Sequence, residues 1–396
     1  MQRLAKGLLG FFLILSLLSA PLPSHAAEPI DFAPNAASAV LMDQMTGTIL
    51  FQKNEHHPLP PASITKVMTM LLIAEALEEG KISLDDQVRT SEHAASMGGS
   101  QIFLEPGEVM SVEDMLKGIA VASGNDAAVA MAEHLAGTEE AFVQQMNQRA
   151  QELGMKDTHF VNANGLPVEG HVSSAYDIAL MSRELLKHEM ITKYTGIYQD
   201  YLRQDSDKPF WLVNTNKLIR FYPGADGIKT GYTSEAGFCL SATAKKENFR
   251  VIAVVMGEPD VKSRNREITQ MMDYAFSNYK VSPLYQKGDV ITSIRIDKGR
   301  PSQLELKAPQ PIGVLQKKGE AGEDYRTQIT RLEPVRAPLA SGTKVAELQV
   351  LKGEEIVARY DLSVTQPVER IGFWGMMGQV SKQMFFPLAP DTPSGQ

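Results

Sequence analysis

The sequence predicts an α+β domain, one antiparallel sheet beside a helical cluster, followed by a small all-β domain and a C-terminal amphipathic helix. Three observations predict it. Strand-like runs stand at both ends of the stretch from Ala37 to Met256, and apolar residues recur at helical spacing between them, from Leu84 to about Leu186. Beyond Val281–Asp289, short alternating runs are separated at regular intervals by Gly, Pro and charged turns. The last stretch places Phe373, Met377, Val380 and Met384 on one helical stripe.

Taken in order, Arg3 and Lys6 precede an apolar run from Leu8 to Leu18, then Pro21, Pro23 and Ser24-His25-Ala26. A charged start, an apolar centre and small residues at the end describe a secretory signal peptide over residues 1–26. The run is short for a bilayer span. Ala37–Asp43 and Thr48–Lys53 read as a hairpin turning at Gln44–Gly47. A helix opens at or just after Pro61–Ser63 and continues through Val67, Met70, Leu71, Ile73, Ala74 and Leu77. Ser111 opens another, with Asp114 as its capping-box partner. Asp126–Ala136, Ala141–Leu153 (closed by Gly154) and Ser174–His188 follow. Two strand-like runs, Gly237–Ala244 and Phe249–Met256, precede a helical pattern from Arg264 to Tyr279. The simplest packing brings both strand groups into one sheet, giving a domain over 27–283.

The all-β domain is expected over 284–366, from runs at Val290–Ile296, Leu304–Ala308, Tyr325–Leu332, Thr343–Val350 and Glu355–Leu362. Gln366-Pro367 separates it from the tail, 367–396. There Ile371, Trp374, Met376 and Phe385 join the apolar stripe, with Gln379, Lys382 and Gln383 opposite. The segment is too short to span a bilayer but suits its interface, so the membrane surface is an expected partner. A terminal helix docked on the β domain is the alternative.

The chain has 396 residues and a net charge of −8, with both signs mixed and no basic patch, so no nucleic-acid partner is expected. Cys239 is the single cysteine, in a strand-like run where a small buried hydrophobe is expected. The eight histidines show no metal-ligand spacing, and neither a metal nor a cofactor is expected.

Three fragments in fixed order carry chemistry: Ser63-Ile64-Thr65-Lys66, Ser123-Gly124-Asn125 and Lys229-Thr230-Gly231. Ser-x-x-Lys recurs at Ser277–Lys280 and Ser341–Lys344, and Ser-x-Asn at Ser263–Asn265; only Lys-Thr-Gly is unique. The Ser63 copy stands at a helix start, which puts Lys66 one turn away on the same face and the positive helix end beside the serine. A serine hydroxyl needs a base, and Lys66 can serve if it is neutral part of the time. Burial and a second cation, Lys229, would lower its pKa. Ser123 would sit between the two lysines and relay protons, although a plain turn before a helix also explains Ser-Gly-Asn. Asn125 would hold Lys66 and a substrate amide. Lys229-Thr230-Gly231 reads as an edge strand beside the cleft. There Lys229 and Thr230 offer a cation and a hydroxyl to a carboxylate, and Gly231 lets substrate backbone approach. The backbone N–H groups of Ser63 and Tyr232 would form the oxyanion hole.

The trio and its order resemble the penicillin-binding proteins and serine β-lactamases. More narrowly, the chain resembles the low-molecular-mass penicillin-binding proteins, the serine-type D-alanyl-D-alanine carboxypeptidases. The likeness covers nearly the whole chain. It is carried by Gly227-Ile228-Lys229-Thr230-Gly231-Tyr232-Thr233 and Ser123-Gly124-Asn125-Asp126-Ala127, while Asn216-Lys217 to Tyr232 is most similar to carboxypeptidases of Gram-positive spore formers. The resemblance implies a peptidoglycan stem peptide ending in D-Ala-D-Ala as substrate. Ser63 would attack the penultimate carbonyl, the terminal D-Ala would leave, and water would hydrolyse the acyl-enzyme. β-Lactams such as penicillin would acylate the same serine and leave slowly. Such a protein would work outside the cell, peripheral to the cytoplasmic membrane.

Rival readings share parts of this pattern. A class A β-lactamase carries Ser-Asp-Asn in the middle motif and a Glu-x-x-Leu-Asn motif; this chain has Ser-Gly-Asn and no Leu-Asn dipeptide. An endopeptidase cutting cross-links would use the same residues. A non-catalytic β-lactam- or peptidoglycan-binding protein would not require Lys66.

Overall fold

The computed structural model describes residues 30–319, 325–332 and 334–372. Its main sheet has five antiparallel strands in the order Ile49–Lys53, Ser38–Asp43, Phe249–Glu258, Gly237–Lys246 and Ala225–Thr233. The first hairpin thus joins the last strands through Ser38–Asp43, with Ala39 opposite Val255 and Leu41 opposite Ala253, as the sequence predicts. Successive side chains of a strand point to opposite faces. Val40, Met42, Ile252, Val254 and Met256 join the core shared with the helical cluster, while Ala39, Leu41, Val251, Ala253 and Val255 alternate with them, and both sets are buried. Helix Val261–Asn278 packs on the strands Gly237–Lys246 and Phe249–Glu258, burying Ile268, Met271, Met272 and Ala275. A sheet covered on both faces needs the near-continuous apolar runs found in these strands.

Helix Lys66–Glu78 is the axis of the helical cluster and is buried nearly all round, from Lys66 to Ala76. It packs against Asn125–Ala136, Glu139–Glu152 and Ala175–Leu185. Side-chain caps set the helix starts: Ser111 accepts from Asp114 N, Thr138 from Ala141 N, Ser174 from Asp177 N and Asp260 from Ser263 N. The Ser63 segment differs in detail from the expectation. A 3₁₀ turn, Ala62–Thr65, comes first, and the α-helix proper starts at Lys66. Two short hairpins were not legible: Gln87–Arg89 with Val109–Ser111, and Gln199–Leu202 with Phe210–Val213. Strands of three or four residues are too short to establish a period.

In the C-terminal region all five expected runs form strands. Their core is Ile294, Leu306, Ile312, Val314, Leu348, Val350, Tyr360 and Leu362, with their neighbours. The longest pair that was missed is Tyr279–Tyr285 with Ile312–Lys317. Tyr279 follows helix residue Asn278 with no turn residue between, and the strand runs across the expected boundary at 283/284. Pairing also continues past Gln366-Pro367, since Val368 bridges Leu339 and Glu369–Arg370 pairs with Gly299–Arg300. The expected signal peptide and the apolar stripe from Phe373 onward lie outside the described residues.

Candidate active site

The fold brings the three fragments together from three different elements. Ser63 and Lys66 stand at the start of the central helix, Ser123 and Asn125 at the start of the helix Asn125–Ala136, and Lys229 to Tyr232 on the edge strand. Lys66 is fully buried. Its Nζ lies 3.0 Å from Ser63 Oγ, 2.5 Å from Asn125 Oδ1 and 2.6 Å from the carbonyl oxygen of Asn164. Burial, and then the Lys229 charge, hold Lys66 well below the ordinary lysine range, against a partial opposing pull from Asp126. Lys229, also buried, is pushed down to about 7, first by burial and then by the Arg264 guanidinium. A buried amine that is neutral part of the time and one turn from a serine hydroxyl is suited to take that hydroxyl's proton.

Ser123 is held in the left-handed region, φ 65° and ψ 30°, at the end of a π-helical turn over Gly118–Ala122. Among the described residues its hydroxyl makes no hydrogen bond to either lysine, and Lys229 Nζ instead donates to the Thr230 carbonyl at 3.0 Å. The bridge expected from the sequence is therefore not formed in this state. Asn125 gives its carbonyl to Lys66 and one amide N–H to Gly98 O at 2.7 Å, leaving the other N–H for a ligand. Asp126 behind it accepts from the backbone N–H of Ile102 and Leu104 and so fixes the 98–104 loop beside the site.

The edge position of Lys229-Thr230-Gly231 is as expected: among the described residues Ala225–Thr233 pairs only with Gly237–Lys246. Gly231 has a packing reason in addition to the one the sequence offered. A Cβ there would lie 2.8 Å from Pro61 O and 3.2 Å from Ala62 Cβ, so the glycine makes room for the Ser63 turn. Thr230 Oγ1 donates to Thr215 Oγ1 at 2.7 Å. Tyr232 is more than half exposed and stacks on Phe238 with ring centroids 4.3 Å apart. Cys239 is fully buried and its thiol is pushed up to about 11 by burial, as expected of a small core residue. Among the described residues no group of three or more His, Cys, Asp or Glu is arranged to hold a metal ion.

A profile of the D-alanyl-D-alanine carboxypeptidase family matches residues 24–260. The chain belongs to that family. A second profile, the C-terminal domain of penicillin-binding protein 5, matches residues 279–370. D-alanyl-D-alanine carboxypeptidase DacF of Bacillus subtilis is 52% identical over 374 residues, 94% of this chain and 96% of the relative. Among solved structures, penicillin-binding protein 5 from Haemophilus influenzae aligns with a TM-score of 0.67 and 31% identity, covering 87% of this chain and 100% of its own. Penicillin-binding protein D2 from Listeria monocytogenes, solved in an ampicillin-bound form, aligns with a TM-score of 0.55 and 30% identity over 61% of this chain and 98% of its own. Membership makes this chain a serine-type D-Ala-D-Ala carboxypeptidase, a hydrolase of peptidoglycan metabolism.

Sequence reasoning missed three contributors. Asn164 reaches Lys66 through a backbone carbonyl, which no residue type announces, although Asn162-Ala163-Asn164-Gly165 carries turn chemistry. Gly98 holds Asn125 the same way. Arg264 did carry a signal, since it lies on the apolar stripe of its helix with Ile268 and Met271, and a charge at such a position faces inward.

Proposed function

We propose that Ser63 is the nucleophile, that neutral Lys66 takes its proton, and that the terminal carboxylate of a D-Ala-D-Ala stem peptide lies against Lys229 and Thr230. The observation that carries this reading is the fully buried Lys66 amine, 3.0 Å from Ser63 Oγ and poised below the usual lysine pKa. The scissile carbonyl oxygen sits between the backbone N–H groups of Ser63 and Tyr232, where removing one donor typically costs about 3 kcal/mol of transition-state stabilisation. The tetrahedral intermediate collapses, D-Ala departs with a proton returned from Lys66, and water then cleaves the ester on Ser63. Ser123, buried at the end of the π-helical turn, turns its hydroxyl toward the lysines when substrate fills the cleft. Penicillin forms the same ester and leaves slowly. The N-terminal 1–26 segment directs export, and the apolar stripe from Phe373 holds the protein against the outer face of the cytoplasmic membrane.

Three measurements test this. A fluorescent penicillin labels the purified protein and Ser63→Ala abolishes labelling; equal labelling of the variant would assign the nucleophile elsewhere. A peptide ending in D-Ala-D-Ala releases D-alanine, and labelling without any release would leave only a binder. Deleting residues 370–396 moves the protein from membrane to soluble fractions; retention would shift the anchor to another segment.

A further inference from the structure

The loop from Phe160 to His171 is stitched to one face of the Ser63 helix at three successive points. Thr65 Oγ1 lies 2.7 Å from His171 Nε2, Lys66 Nζ lies 2.6 Å from Asn164 O, and Thr69 Oγ1 donates to Ala163 O at 2.6 Å. The polarity of the first contact follows from its neighbours. The Val161 backbone N–H donates to His171 Nδ1 at 2.9 Å, so that nitrogen carries no proton. Nε2 therefore holds the ring proton and gives it to Thr65 Oγ1, whose own proton goes to Ala62 O at 2.8 Å. The relay runs Val161 N–H, His171, Thr65, Ala62 carbonyl, and every donor in it has one acceptor.

The end of that relay is an unusual peptide. Ala62 has φ of +47°, a left-handed conformation that costs a non-glycine residue, and it is buried. Its carbonyl shares a peptide plane with the N–H of Ser63. The loop presses on the same atom: Gly165 has φ of +87°, and a Cβ there would come 1.9 Å from Ala62 O. We propose that His171, acting through Thr65, is a positioning residue that fixes the plane of the Ala62–Ser63 peptide and so aims the Ser63 N–H at the substrate oxyanion. The inference rests on the reading of Ser63 and its N–H given above.

His171 is held neutral, down to about 4, by burial first and then by the His159 charge. Phe160 meets it edge-on at 5.8 Å, and Lys66 opens the helix that directly follows Thr65. Glu169 and Glu235 share with His171 and Ala62 the lining of a cavity of about 450 Å³. A second proton would land on Nδ1 and evict the Val161 N–H, breaking the relay at its root.

The test uses the purified full chain, a D-Ala-D-Ala peptide and a fluorescent penicillin. Thr65→Val, which keeps shape and removes the hydroxyl, lowers kcat about 10²-fold with KM within about threefold, since the mis-aimed donor matters only in the transition state. Thr65→Ser restores most of the loss. His171→Gln, which can accept from Val161 and donate to Thr65, keeps kcat within about threefold of the parent, whereas His171→Leu, which can do neither, lowers kcat as Thr65→Val does. Unchanged kcat in Thr65→Val or in His171→Leu overturns the proposal while leaving the nucleophile assignment intact. A parent protein that neither labels nor releases D-alanine overturns the nucleophile assignment itself. If Thr65→Val lowers kcat only in proportion to its folded fraction, measured by thermal unfolding, the relay is structural and the proposal fails.

Discussion

The two halves of the described chain bury different things. The region around the five-stranded sheet encloses Lys66, Lys229, Arg264, Glu258, Glu267, Asp126 and Asp177, and every buried polar or charged side chain among the described residues lies between Ser38 and Glu267. The C-terminal β region encloses none; its core is Ile, Leu, Val and Ala with one tyrosine, whose hydroxyl donates to Gly313 O at 3.1 Å. Burying an ion costs several kcal/mol even after relaxation, so a fold keeps such groups where something other than stability depends on them. The first region bears part of that cost at its site, where Lys66 and Lys229 lie. The second is built as support, with apolar strands and a charged exterior.

The sharpest way to break this comparison is Lys66→Met. The variant fills nearly the same space without an amine. The acylation rate with fluorescent penicillin should fall about 10³-fold, the scale of a lost general base. The free energy of unfolding should move by less than about 2 kcal/mol, because the desolvation penalty removed offsets the two carbonyl groups left without a donor. A large loss of stability with acylation retained would make Lys66 a structural cation.

The complementary change is Leu348→Ala, on the middle strand of the three-stranded sheet and fully buried. It should cost the β region about 3 kcal/mol, as large-to-small core changes do. Denaturant unfolding followed by tyrosine fluorescence would show the loss. Acylation of Ser63, measured where both proteins are folded, should stay within about twofold. A matching fall in acylation would show that the β region shapes the site.

The same contrast explains what was legible in the sequence. Apolar periodicity is a direct record of burial, so the sheet, its long helices and most β-region strands could be read from it. Sequence order and the helix start located Ser63 and Lys66, because a helix fixes which residues share a face. Contacts made by backbone were invisible: Asn164 O, Gly98 O and Pro61 O act through atoms that every residue carries. Gly231 shows the limit well. The residue type announced a close approach, and only the packed structure said whose. Ser123 shows another, since its place in the motif was legible but its burial and the state of its hydroxyl were not.

The smallest effect sharpens the comparison most finely, because it asks one buried charge to act in two ways. Lys229 is pushed down to about 7, so it loses its proton as pH rises through neutrality. If its charge receives the substrate carboxylate, kcat/KM for a peptide ending in free D-Ala-D-Ala should fall about tenfold per pH unit above that value, since this ratio reports groups of the free enzyme. Lys66 acts with the opposite sign: its neutral form is the useful one, and its lowered pKa moves the acid limb downward. A C-terminally amidated peptide should keep the acid limb and lose the alkaline one. Lys229→Arg, charged at every accessible pH, should flatten the alkaline limb for the free acid at some cost in geometry. Stability runs the other way. Between about 7 and the ordinary lysine value, the unfolded chain binds a proton at this position that the folded chain does not, so folding is favoured as pH rises across that window. The midpoint of unfolding should climb over the range in which kcat/KM declines. A flat kcat/KM together with a midpoint that does not climb would mean that Lys229 is charged in the folded protein throughout, and that the burial of this cation is a matter of architecture alone.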